Sequence, residues 1–142
     1  MKAKDPDSQS ISQLGGWIWR DDVPREGEGG VVYRFYQLHR KPIGLLSLAD
    51  LRFLIGQNAC LEHLVPKALS ALEVDPWLEA EYEPGDLLSV VLRINHPKDY
   101  WRADSPLKQR LVQVAHEALK DPPNGVSRAD LRSLSALLAK PG

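Results

Sequence analysis

Apolar positions along the 142-residue chain recur at helical spacing in several separate stretches. Leu64, Ala68 and Leu72 repeat every four residues with Val65 and Leu69 beside them, which predicts a helix over 61–74. Pro66 lacks an N–H and so is expected in its first turn. Ser47 and Asp50 form a capping-box pair ahead of Leu48, Leu51, Phe53, Leu54 and Ile55, and Gly56 is placed to end that helix in a left-handed conformation. Val31, Phe35 and Leu38 fit one helical face, although the Val-Val-Tyr-Arg-Phe-Tyr run also has strand-like composition. Helix is favoured there, closed by Pro42.

Farther on, Pro84-Gly85 marks a turn, and Asp86 is expected to cap a deeply buried helix over 87–94. Ser105 as N-cap and Pro106 at the first helical position open another, with a stripe of Leu107, Leu111, Val114, Ala115 and Ala118. Ser127 and Asp130 repeat the capping pattern before Leu131, Leu134, Leu137 and Leu138. Residues 1–13 read as a polar N-terminal tail. Glycines at 15, 16, 27, 29 and 30 break up the following stretch, where Trp17, Ile18 and Trp19 offer anchors for the core. The expected fold class is all-α, a compact single-domain bundle of five to six short helices spanning 14–140.

Composition changes this picture little: 43% hydrophobic and 26% charged residues exclude a disordered chain or a rod. The formal charge of −1 argues against a generally basic nucleic-acid binder. Only one cysteine, Cys60, is present, which excludes an intramolecular disulfide framework. The start is polar, and no apolar run is long enough for a signal peptide or a membrane span, so the expected location is the cytoplasm.

Charge is unevenly placed. Glu73, Asp75, Glu79, Glu81, Glu83 and Asp86 fall within 14 residues that hold no Lys or Arg. Like charges at this density repel one another, and Trp77 and Tyr82 lie among them. Two readings follow: a solvated loop, or a surface that steers a basic partner and anchors it through aromatics. The second nominates Asp75, Trp77, Glu79, Glu81, Tyr82, Glu83 and Asp86 as partner-binding residues.

Catalytic signals are absent from the sequence pattern. Histidines 39, 63, 96 and 116 show no i, i+4 pair and Cys60 has no cysteine partner, so no metal site and no cofactor are expected. His63 near Cys60 reads as a buried thiol beside a helix start rather than a nucleophile. No phosphate-loop, dinucleotide or nucleophile-elbow motif occurs, and an enzyme is not expected. Helices at 47–55 and 62–74 imitate a helix-turn-helix, which makes a DNA-binding regulator the alternative. The would-be recognition helix, however, sets one Lys67 against Glu62 and Glu73.

Three strings carry a resemblance. They are R-K-P-I-G-L-L-S-L-A-D-L-R-F-L-I-G-Q-N from Arg40, L-V-P-K-A-L-S-A-L-E-V-D-P from Leu64, and E-Y-E-P-G-D-L-L-S-V-V-L-R from Glu81. Together, over Arg40 to Trp101, the chain resembles the immunity proteins of bacterial contact-dependent growth inhibition (CDI) systems. The resemblance implies a small, helical, cytoplasmic protein that binds and neutralises the C-terminal toxin domain of a cognate effector. Many such toxins are nucleases with basic sites, so the implied partner is a basic nuclease domain, with no direct nucleic-acid or membrane contact. The shared residues, such as Leu51, Ile55, Gly56, Leu69, Gly85 and Leu87, look like scaffold.

Overall fold

The structure, a computed structural model, describes residues 5–20, 22–25, 30–95, 98, 100–101 and 105–139. Gly27, Gly29, His96 and the ends of the chain at 1–4 and 140–142 lie outside them. Among the described residues, seven α-helices follow in order: α1 Ile11–Gly15, α2 Gly30–His39, α3 Leu48–Gly56, α4 Leu61–Val74, α5 Asp86–Leu92, α6 Pro106–Lys120 and α7 Arg128–Leu138. Among the described residues, extended pairing is limited to a single bridge between Glu79 and Pro84. The fold is therefore an all-α bundle, as the periodicity predicted.

The starts of α1, α3, α6 and α7 are set by side-chain caps that supply missing intrahelical acceptors. Ser47 Oγ accepts from Asp50 N–H at 3.1 Å and Asp50 Oδ2 accepts from Ser47 N–H at 3.0 Å, completing a capping box on α3. Ser105 and Ser127 accept from the N–H groups of Lys108 and Asp130, both at 3.1 Å, and so start α6 and α7. The apolar stripe of α4 is fully realised: Leu64, Val65, Ala68, Leu69 and Leu72 are completely buried. Helix α4 packs against α3, α5 and α6, and α7 lies on α6 and α5. Leu87, Leu88, Leu111, Ala115 and Leu134 fill the space between them.

Four expectations are corrected. The polar start is joined to this core, because Ile11 is 1% exposed and Ser10 and Gln13 make a capping box at α1. The backbone N–H of Ile43 also donates to the Gln9 carbonyl at 2.9 Å. Gly56 stays helical. The reversal between α3 and α4 is made instead by Asn58 and Cys60, with φ of 59° and 49°. Pro66 falls in the second turn of α4, because the helix already starts at Leu61, and Glu62 loses its i+4 donor there. Val31, placed on the inner face of α2, is 55% exposed. That helix is held by Leu38, half-buried Phe35 and Arg34 instead.

Candidate functional site

The acidic run starts at Glu73 in the last turn of α4, continues through the loop from Asp75 to Gly85 and ends at the first residue of α5. Asp86 organises it. This residue is 5% exposed, and its two carboxylate oxygens accept three backbone N–H groups. Ala80 donates to Oδ1 at 2.7 Å, and Glu81 and Tyr82 donate to Oδ2 at 2.9 Å each. Asp86 therefore folds the loop back onto the start of α5 rather than capping that helix. Desolvation pushes its pKa up, but the three N–H donors and the Arg52 guanidinium outweigh it and hold the carboxyl below the usual carboxylate range.

Three of the six acids, Glu73, Glu81 and Asp86, are matched by bases from distant helices. Arg34 on α2 places Nη1 2.7 Å from Glu81 Oε1, donates to the Ala49 carbonyl at 3.3 Å, and lies 4.6 Å from the Phe53 ring. Arg52 on α3 sits 3.5 Å from Asp86 Oδ2 and 3.7 Å from Glu81 Oε2, with its guanidinium 4.7 Å from the Tyr82 ring. Arg110 on α6 donates through Nε to Glu73 at 3.0 Å. Trp77 turns inward: its indole N–H donates to the Ala118 carbonyl at 2.8 Å. Gly85 has φ of 84°, and an added Cβ there would lie 2.8 Å from the Trp77 ring, so glycine is required on both counts.

The seven nominated residues thus divide. Trp77 and Asp86 face the interior, and Glu81 is half-buried between two arginines. Asp75, Glu79, Tyr82 and Glu83 are exposed, with Tyr82 at 66%. Sequence reasoning missed Arg34 and Arg52, which lie 47 and 34 positions from the acids they meet and carry no local signal.

Little in this site suits bond-making chemistry. Both carboxylate oxygens of Asp86 are taken up by backbone N–H groups, and Arg52 lies against both Asp86 and Glu81, so these acids serve the fold of the loop. Among the described residues, no group of three His, Cys, Asp or Glu side chains is placed to hold a metal ion. Cys60, half-buried at the start of α4, has its thiol pKa raised by desolvation and by Glu62, the opposite of an activated nucleophile. Lys67, the one lysine of the would-be recognition helix, is paired with Asp7 at 2.6 Å.

Residues 20–111 match the family of CDI immunity proteins, and this range covers about two-thirds of the chain. The chain belongs to the CDI immunity proteins. No individual curated protein matches it. Membership implies a cognate toxin as the binding partner. The matched range of this immunity protein holds Arg34, Arg52 and the whole acidic loop, while Trp17, Ile18, Trp19 and α7 fall outside it. Among the described residues, no helix is long and apolar enough to cross a membrane.

Proposed function

We propose that this immunity protein acts in the cytoplasm, without catalysis, by docking the exposed side of its acidic loop onto the basic nucleic-acid site of a nuclease toxin domain. One observation carries this reading. Asp86, Arg34 and Arg52 fix the loop from within, so that Asp75, Glu79, Tyr82 and Glu83 project outward from a preformed surface. A rigid loop loses little conformational entropy on binding, and uncompensated surface carboxylates accelerate encounter with a basic partner. Tyr82, held over Arg52, supplies an aromatic contact at low entropic cost.

The test uses Glu79→Lys with Glu83→Lys, which leaves the inward pairs of Glu81 and Asp86 untouched. Association with the toxin domain of the cognate effector should slow by about tenfold at low salt, and the difference should shrink as salt rises. Stoichiometric inhibition of nucleic-acid cleavage by that domain tests the nuclease assignment. If the folded double variant associates at the wild-type rate at every ionic strength, the loop is not the docking surface.

A further inference from the structure

The turn between α6 and α7 carries an Asn-Gly pair, Asn124-Gly125, and no other asparagine of the chain precedes a glycine. Both residues are exposed at the centre of a tight turn, and Gly125 has φ of 89°, as a type II turn needs at its third position. An added Cβ at Gly125 would meet nothing within 4 Å, so the backbone there stands clear of the bundle. Among the described residues, neither the Asn124 side-chain amide nor the Gly125 N–H has a hydrogen-bond partner.

The other asparagines stand differently. Asn58 is followed by Ala59, whose N–H donates to the Leu54 carbonyl at 3.0 Å, and Asn58 N–H donates to the Ile55 carbonyl at 2.9 Å. The nitrogen that would attack the Asn58 side chain is therefore engaged and belongs to a residue with a Cβ. Asn95 precedes His96, which also has one.

An exposed Asn-Gly turn lets the glycine nitrogen reach the preceding side chain, because no Cβ blocks the approach. We propose that Asn124 is a modification site, converted by its own backbone to aspartate and isoaspartate. The Gly125 amide gives its proton to water and its nitrogen attacks Asn124 Cγ. A nitrogen–carbon bond forms, the bond from Cγ to the side-chain nitrogen breaks, and that nitrogen takes up a proton and leaves as ammonia. Water then opens the succinimide at either carbonyl. One opening gives aspartate, and the other runs the main chain through the side-chain carbons and gives isoaspartate. The sum is one water consumed and one ammonia released, with no oxidant or reductant.

The product carboxylate is ionised at neutral pH, so the formal charge of −1 becomes one unit more negative. Asn124 and Gly125 share the wall of a cleft of about 340 Å³ with Glu83 and Pro84 of the acidic loop. Arg52, Arg93, Asp86 and Asp130 also line it and are the same in both forms, so the change is one carboxylate gained. Resting on the docking reading above, the converted chain presents more negative charge beside the loop and meets a basic toxin domain faster.

The experiment incubates the folded full chain at mildly alkaline pH and follows it by peptide mapping with mass spectrometry. The peptide holding Asn124 should exchange the mass of an amino group for that of a hydroxyl, in aspartate and isoaspartate forms. Those holding Asn58 and Asn95 should stay unchanged. The intact chain should gain a more acidic peak on anion exchange, and Asn124→Gln should lose that peak. An Asn124 that stays an amide in the folded chain while it converts in guanidinium overturns the proposal, and so does conversion of Asn58 or Asn95 at the same rate. None of these readouts involves the toxin. The two separated forms are then compared by surface plasmon resonance on the toxin domain of the cognate effector. The acidic form should associate faster at low salt, with the difference lost at high salt. Equal rates at low salt overturn the steering consequence alone. If Glu79→Lys with Glu83→Lys also associates like wild type, the docking reading falls with it.

Discussion

The indole N–H of Trp77 donates to the carbonyl oxygen of Ala118 at 2.8 Å, joining the loop after α4 to the last turn of α6. The carbonyls of a final helical turn lack intrahelical donors, so this bond satisfies an acceptor that would otherwise need water. It also seats the Trp77 ring against the core and beneath Gly85.

Replacing Trp77 separates those two roles. Trp77→Phe keeps most of the ring but leaves the Ala118 carbonyl without its donor, at a cost of about 1 kcal/mol. Trp77→Ala removes the packing as well and should cost about 3 kcal/mol. Urea denaturation of both variants beside wild type reads the difference. Equal midpoints for Phe and wild type would show that water replaces the indole without loss.

Gly85 and Gly125 share a left-handed backbone, with φ of 84° and 89°, but differ in surroundings. Alanine at Gly125 meets nothing within 4 Å, whereas at Gly85 its Cβ would fall 2.8 Å from Trp77 Cε3. Both substitutions carry the left-handed penalty of about 1–2 kcal/mol. Gly85→Ala should exceed Gly125→Ala by a further ~1 kcal/mol or more, because the Trp77 ring must move. Paired thermal melts test this, and equal losses would mean that the ring shifts freely.

Stability should fall in acid through Asp86 and Asp50. Burial raises the pKa of each, but Asp86 gains three N–H bonds and Asp50 gains Ser47 and Lys41, and both end below the ordinary value. A lowered folded-state pKa adds stability that is present above the unfolded value of about 3.9 and is lost as pH falls through the folded value. Melting temperature should therefore drop as pH falls below about 4, and the drop should be shallower in Asp86→Asn. That variant should also be less stable at neutral pH by about 2 kcal/mol, since a charge-accepting group with three donors is replaced by an amide. An identical acid slope in the variant would remove Asp86 from this account.

Helices α4 and α6 were legible because a four-residue apolar repeat coincided with recognisable ends, and their stripes are buried almost residue for residue. Helix α1 was passed over. It is five residues long, and its one deep anchor, Ile11, stands in a polar stretch whose Ser10–Gln13 cap was the available signal. Gly56 misled because glycine is the usual left-handed residue, whereas Asn58 took the positive φ here with a short polar side chain that tolerates it. The acidic run was visible as composition but its meaning was not. Which carboxylates turn inward depends on Arg34, Arg52 and Arg110, and only the assembled bundle brings those residues to Glu81, Asp86 and Glu73.

Those three ion pairs also bear on how the chain folds. Each acid finds its base on a helix remote in sequence, so a partly assembled intermediate lacking α2, α3 or α6 keeps part of the repulsion within 73–86 unrelieved. Such intermediates are penalised relative to the fully folded chain, in which Glu73, Glu81 and Asp86 are matched, and to the fully extended chain, in which the charges are far apart. The acidic loop thereby sharpens the all-or-none character of folding, and its outward face is displayed only once the whole bundle has closed.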